Sequence, residues 1–192
     1  RDGTLLRRER VKVREITART TDLSLALAAR SIRVEAPVPG RPVVGIEVPN
    51  LASATVALRG ELESRVFQRL LVKAALPVVL GRDVAGEVVA SDLAKMPHLL
   101  IAGATGSGKS VCINSIIATL LMDHPPDYLR FLMVDPKRVE LALFDSIPHL
   151  LRPVVVDVDK AVPALYQAVA EMDKRYREFQ AFGVRNIDGY NR

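Results

Sequence analysis

The chain has 192 residues, enough for one large or two small domains, and its 49% hydrophobic content is ample for a packed core. Trp is absent and aromatic residues make up 5%, so we expect an aliphatic core. The single cysteine, Cys112, excludes an intramolecular disulfide, and no apolar run approaches the roughly 18 residues of a membrane span. No signal peptide opens the chain, and its first residue is Arg1 rather than Met, so we expect an excised fragment.

The net charge of +5 is concentrated at the N terminus. Residues 1–19 carry +4 of it, and the basic and acidic groups of the remaining chain nearly balance. A short basic arm of this kind can meet nucleic acid phosphates, acidic lipid or an acidic neighbouring subunit, or it can be an ordinary solvated surface. Charge alone leaves these alternatives open.

Residues 1–92 combine short strand and helix signals with Pro/Gly turns. The predicted elements, in chain order, are a strand at 11–16, a helix beginning at Thr21-Asp22, strands at 31–36 and 43–48, a helix over 62–75 and a hairpin at 78–89. This mixture predicts a small α+β domain.

From residue 93 the pattern changes to alternating strands and longer helices, which is typical of a mainly parallel sheet covered by helices. Strands are predicted at 99–102, 129–135 and 153–157, and helices over 111–122 and 161–182. In the last helix, apolar residues recur at intervals of three and four, so we expect this stripe to face the core: Val162, Leu165, Val169, Met172, Tyr176 and Phe179. About three strands are fewer than such a sheet normally has, so the core is expected to be cut short.

The segment Gly103–Ser110 matches the phosphate-loop pattern G-x-x-x-x-G-K-[ST] at every specified position, between a predicted strand and a predicted helix. Glycines let backbone N–H groups close around phosphate oxygens, and the start of the helix adds unpaired N–H groups and its dipole. We expect Lys109 to reach the β- and γ-phosphates of a nucleotide and the Ser110 hydroxyl to ligate Mg²⁺. The residues predicted to bind nucleotide are Gly103, Ala104, Thr105, Gly106, Ser107, Gly108, Lys109 and Ser110.

Other candidate residues give weaker signals. Asp135 ends a hydrophobic strand, where it could hold Mg²⁺ as a Walker B carboxylate or cap the turn into the following segment. We interpret Cys112 as core packing, because nothing nearby marks it as an activated thiol. His98, His124 and His149 share no metal-ligand spacing, so structural roles are favoured for all three.

Several unlinked motifs resemble the FtsK/SpoIIIE family of bacterial DNA translocases. They are Met96–Gly103, Val134–Lys137, Ile147–Leu151, Glu171–Tyr176 and Gly183–Ile187, and upstream Pro39–Asn50 resembles a tract of that family's small α domain. The resemblance extends from about Val11 to Asn191 and is far more specific than the phosphate loop alone.

The resemblance implies an α/β fold: a truncated RecA-like P-loop NTPase core with a parallel sheet, preceded by a small α+β domain. Residues 1–92 would be the α domain and 93–192 the N-terminal part of the motor. The family implies a homo-hexameric ring that pumps double-stranded DNA with ATP and Mg²⁺ in chromosome segregation and cell division. The motor would lie on the cytoplasmic side of the bacterial inner membrane, anchored through segments outside this chain.

In the family, the Walker B carboxylates, the catalytic Glu, the sensor residues and the trans-acting Arg follow the tract matched here by Gly189–Asn191. The resemblance therefore argues against Asp135 as a Mg²⁺ ligand and leaves Lys109 as the catalytic residue of this chain. We expect the fragment to bind nucleotide without hydrolysing it alone. Two alternatives remain open: a conjugative or secretion-type P-loop motor, and a nucleotide-binding adaptor that never hydrolyses.

Overall fold

The computed structural model describes residues 11–29, 31–50, 52 and 54–191. Residues 1–10 of the basic arm lie outside this range. The chain divides into two compact units, Arg1–Thr55 and Val56–Arg192, whereas the sequence predicted a boundary after residue 92. The difference arises because the hairpin before residue 92 packs on the helix that follows the phosphate loop, through Val78, Ile116 and Leu120.

The first unit contains two short helices and one antiparallel strand pair. Its elements are α1 (Val13–Thr17), α2 (Thr20–Ala26), β1 (Arg33–Glu35) and β2 (Gly45–Glu47), with Arg33 opposite Glu47. The predicted helix at Thr21-Asp22 and both later strands are confirmed. The predicted strand at 11–16 is wrong, because the backbone there satisfies its hydrogen bonds within α1, as in the bond from Ala18 N to Arg14 O.

The second unit begins with two helices and a hairpin. They are α3 (Leu58–Leu62), α4 (Arg65–Leu71), β3 (Pro77–Arg82) and β4 (Val88–Asp92), and β3 pairs antiparallel with β4 as predicted. The single helix predicted over 62–75 is instead interrupted, because the Ser64 hydroxyl accepts a hydrogen bond from Phe67 N at 3.2 Å and so begins α4 as its N-cap.

The rest of the second unit is built on α5 (Lys109–Asp123), α6 (Val158–Ala181) and the short α7 (Ile187–Tyr190). The predicted strands at 129–135 and 153–157 are reduced to two parallel bridges, Phe131 with Leu150 and Val134 with Val155. The parallel direction is thus confirmed. The ladder is interrupted because the second segment has two more residues between the bridges than the first, including Pro153, which has no N–H.

The predicted strand at 99–102 is also not formed. Within residues 54–191 none of its backbone groups takes part in a backbone hydrogen bond, and Leu100 is 89% exposed. A strand is defined by pairing with a neighbour, and this apolar segment has none in the part of the chain that the structure describes.

Helix α5 lies between two hydrophobic clusters. One contains Ile117, Met133, Phe144 and Val154, and the other contains Val78, Ile116 and Leu120. Cys112 is half-buried and packs against the second cluster, in keeping with a packing role.

The prediction that the α6 stripe faces the core is wrong. Val162, Leu165, Val169, Met172 and Tyr176 are each between 48% and 60% exposed, and Ala164 is the one buried residue of the helix. The periodicity correctly predicted the helix, but most of its apolar stripe is exposed. The exception is Phe179, which is half-buried and lies beside Tyr190 with a ring-centroid distance of 5.4 Å. No helix in the described ranges is long and apolar enough to cross a membrane.

Candidate nucleotide-binding site

The backbone of the phosphate loop requires glycine at two positions. Gly106 and Gly108 have φ angles of +80° and +94°, in the left-handed region that side chains other than glycine rarely adopt. Gly108 is also the N-cap of α5, since its carbonyl accepts a hydrogen bond from Cys112 N at 2.9 Å. The loop therefore ends directly at the start of a 15-residue helix.

Gly103 lies where the two sides of the loop approach each other closely. A Cβ at this position would collide with Ser107 Oγ and lie 3.1 Å from Ser107 Cβ. Ser107 N in turn donates to Ala104 O at 3.1 Å, which closes a tight turn. The result is a small cradle of main chain whose two sides lie close together.

The Lys109 side chain folds back over this cradle. Its ammonium group donates to Gly103 O at 2.9 Å and to Ala104 O at 3.4 Å. Residues 102–108 are exposed, whereas Lys109 and Ser110 are half-buried at the start of α5. A cation, the unpaired N–H groups of a helix N-terminus and a glycine cradle converge on one exposed position, which fits a phosphate group.

Asp135 serves the turn that follows it. Its side chain is 6% exposed, and Oδ2 accepts hydrogen bonds from Val139 N, Glu140 N and Leu141 N at 2.9–3.0 Å. The Leu141 N–H is the largest influence and, with the other amides, holds the pKa of the carboxyl below its usual value despite opposition from burial. The geometry matches the turn-capping alternative, with the carboxylate engaged by main chain.

Two of the three histidines, His124 and His149, have structural partners. His124 Nε2 lies 2.9 Å from Ala75 O, and His149 Nε2 lies 2.8 Å from His124 O, so the two rings tie the end of α5 to neighbouring main chain. His98 is exposed. Among the described residues there is no group of three or more His, Cys, Asp or Glu side chains that could hold a metal ion.

Two buried carboxylates escaped the sequence analysis. Asp92 accepts hydrogen bonds from Leu76 N and Ala94 N, and these bonds outweigh burial so that its pKa is lowered. Glu61 is 3% exposed and pairs with Arg82 at 2.8 Å. The sequence around each of these two residues contains no recognisable motif, so only the three-dimensional structure shows that they are buried.

Comparison with known families decides the assignment. The FtsK/SpoIIIE family matches residues 58–192, and the FtsK alpha domain matches residues 4–50. The chain belongs to the FtsK/SpoIIIE family. The two matches meet near the boundary between the compact units, rather than near residue 92.

Relatives within the FtsK/SpoIIIE family support this at the level of whole sequences. The chain is 54% identical over 181 residues to the DNA translocase FtsK of Sporosarcina ureae and 53% identical to the DNA translocase SpoIIIE of Bacillus subtilis (strain 168). Each match covers 94% of this chain and 23% of the relative, so the chain spans about a quarter of the length of these relatives.

A solved structure supports the fold. The conjugation coupling protein TcpA of pCW3, in a monomer form with ATPγS, superposes with a TM-score of 0.55 at 25% identity. The match covers 94% of this chain and 48% of that protein. The α/β, RecA-like P-loop class predicted from the sequence is confirmed, and this chain corresponds to part of such a core.

Proposed function

We propose that this FtsK/SpoIIIE-family chain is part of an ATP-driven translocase of double-stranded DNA. The observation that carries the proposal is the phosphate cradle of Gly103–Ser110 with Lys109 folded over it, at the N-terminus of α5. The names of the 53–54% identical relatives supply the DNA substrate. The intact protein would work as a homo-hexameric ring in chromosome segregation or cell division, on the cytoplasmic side of the bacterial inner membrane.

Each residue of the loop has a role in this proposal. The main-chain N–H groups of Gly103–Ser110 hold the phosphates of ATP, and Lys109 leaves the carbonyls of Gly103 and Ala104 to neutralise charge on the β- and γ-phosphates. The Ser110 hydroxyl, half-buried in the first turn of α5, holds Mg²⁺. Cleavage of the bound ATP would supply the free energy for movement along DNA.

The chain by itself should bind nucleotide without turning it over. Asp135, its one candidate for a Walker B carboxylate, already accepts three main-chain N–H groups and closes a turn. No other described carboxylate follows a paired parallel segment except Asp157, which is engaged by Arg138 and Lys160 at 2.6 and 2.9 Å. The attacking water would need a base from elsewhere in the intact protein. Robust ATP hydrolysis by the 192-residue chain alone would contradict this part of the proposal.

The structural similarity to TcpA supports a second candidate function, a motor for conjugative DNA transfer. The alpha-domain match over residues 4–50 and the higher identity to the named translocases favour the first function. ATPase stimulation by any duplex, without a conjugative partner protein, would separate the two. A nucleotide-binding adaptor would show binding but no turnover in the intact protein.

The decisive experiment compares Lys109→Ala with Lys174→Ala in the intact protein. Lys109 is the one ammonium of the loop, so its removal should lower DNA-stimulated ATPase activity by about 100-fold or more. Lys174 lies on α6, 3.8 Å from Glu178 and distant in sequence from the loop, so its variant should retain wild-type activity. ATPase activity that does not respond to duplex DNA would contradict the translocase proposal.

Nucleotide binding can be tested separately with a pair of glycine variants. Gly103→Ala places a methyl group against Ser107 and should weaken the affinity of the chain for a fluorescent ATP analogue by about 1–3 kcal/mol. Gly60→Ala, in α3 with open space around the position, is the matched control and should bind normally. A second substitution, Ser107→Gly, removes the collision and should recover part of the affinity lost in Gly103→Ala. Equal affinities for the two single variants would show that the close approach of Gly103 to Ser107 does not matter for nucleotide binding.

A further inference from the structure

Helix α4 carries a row of cations along its outward face. Arg65, Arg69 and Lys73 follow one another at intervals of four residues, the last of them just beyond the helix, and all three are exposed. At a rise of 1.5 Å per residue the row is about 12 Å long. With Gln68 and Val72 the same three side chains line a groove of about 400 Å³. We call Arg65, Arg69 and Lys73 the α4 row.

No carboxylate among the described residues neutralises the α4 row. Within residues 54–191, no carboxylate lies within 4.0 Å of any of the three, and segment 65–73 contains no acidic residue. The nearest acidic residues in sequence have other partners: Glu61 is buried against Arg82, and Glu63 pairs with Arg59 at 2.9 Å. The outward face of α4 therefore carries three positive charges with no described carboxylate beside them.

Helix stability accounts for only part of this arrangement. Cations at the C-terminal end of a helix, where Arg69 and Lys73 lie, interact favourably with its dipole, whereas like charges four residues apart repel one another. The helix is held by other means: Ser64 caps its first turn, the Gln68 amide donates to Leu62 O at 2.8 Å, and Phe67, 4% exposed, anchors the inner face. The α4 row thus lies on a helix whose capping and packing do not depend on it.

We propose that the α4 row binds the phosphate backbone of duplex DNA, which rests on the translocase function proposed above. One DNA strand advances about 3.4 Å along the axis per phosphate, so a 12 Å row spans three to four phosphates. Arginine and lysine are the side chains that make such sequence-independent contacts. The contact gives no base specificity, as a motor that moves along any duplex requires.

An acidic membrane surface fits the same charges less well. A helix that binds at a lipid interface inserts an apolar face beside its basic one, whereas the apolar side of α4 is turned inward through Phe67. On the outward side Val72, 85% exposed, is the one large apolar side chain among the groove-lining residues.

The test measures the salt dependence of affinity for a labelled duplex, using the intact protein with a non-hydrolysable ATP analogue. The variant is R65Q/R69Q/K73Q, and the matched control is R59Q/K174Q/R175Q, which removes three cations that are paired with carboxylates. In the row variant the slope of log affinity against log salt should become shallower by about 2 to 3, one unit per lost phosphate contact, and in the control by less than about 1. All six side chains are exposed, so thermal unfolding of both variants should match that of the unsubstituted protein.

Three outcomes would overturn the proposal. Equal slopes for the row variant and the unsubstituted protein overturn the α4 row alone and leave the translocase function standing. A row variant that loses binding to phosphatidylserine vesicles but keeps its DNA slope assigns the row to acidic lipid. Absence of DNA binding by the unsubstituted protein overturns the row and the proposed function together.

Discussion

Helices α5 and α6 of the second unit show how differently two apolar helices can be used. In α5, Ile116, Ile117 and Leu120 are no more than 8% exposed and join two hydrophobic clusters. In α6, the residues of a far more regular apolar stripe are about half exposed. The more periodic helix is therefore the less buried one, because a periodic stripe specifies which face is apolar but does not supply the surface that covers it.

The number of charged residues in each helix indicates which one is buried better than the periodicity of its apolar residues does. Beyond its first residue, Lys109, α5 has no charged residue until Asp123 at its end, and a helix that is apolar nearly all round is a buried one. By contrast, α6 carries ion pairs along its length, including Arg175 with Glu171 at 2.7 Å, which suit a helix with water on several sides.

The largest effect on the free energy of unfolding is expected when one leucine from each helix is replaced and the two variants are compared. Leu120→Ala removes a side chain that is 2% exposed and should lower the free energy of unfolding by about 2–5 kcal/mol, through lost burial and a residual cavity. Leu165→Ala, in a position that is 57% exposed, should change it by less than about 0.5 kcal/mol. Urea denaturation of both variants measures the difference. Similar losses for the two would break the comparison, because they would show that the α6 stripe is as buried as α5.

An intermediate effect on the free energy of unfolding is expected from Asp135. This residue closes the turn that precedes the cluster packed against α5. The variant Asp135→Asn replaces the carboxylate that accepts three N–H groups and should cost about 1–3 kcal/mol of unfolding free energy near neutral pH. Leu141, which donates one of these bonds, and Phe144 pack on or within the same cluster as Ile117. The loss should therefore also loosen the packing of α5, detectable as faster amide exchange at Ile117.

The pH dependence of the loss of stability in Asp135→Asn tests whether the charge of the carboxylate is responsible. The pKa of Asp135 is lowered in the folded protein, first by the Leu141 N–H, so its stabilisation is complete above the unfolded value of about 4 and disappears as pH falls through the lower folded value. The difference between wild type and Asp135→Asn should thus shrink as the pH falls below the unfolded value of about 4. A difference that stays constant over this range would mean that the ionised carboxylate is not what holds the turn.

The sequence predicted the parts of this molecule that local chemistry determines. The loop Gly103–Ser110 and the helices after it follow from glycine conformations, apolar spacing and turn residues, all of which act over a few neighbouring positions. It did not predict the failure of the 99–102 and 129–135 segments to form continuous strands, because pairing depends on distant residues and on the two extra positions before Val155. The compact unit that begins at Val56 likewise depends on contacts between distant residues, such as those that join Val78 and Leu120 in one cluster.

The smallest expected effect tests whether anything covers the α6 stripe in solution. Met172, at the middle of the stripe, is 48% exposed, so Met172→Glu should alter the unfolding free energy of the 192-residue chain by no more than about 0.5 kcal/mol. The sedimentation coefficient should be the same for variant and wild type at low protein concentration. If a second copy of the chain covers the stripe, a buried carboxylate in that interface would instead destabilise it, and the wild type would sediment as a larger species that the variant does not form. That result would make α6 equivalent to α5, each buried by its own partner surface, and would end the contrast between them.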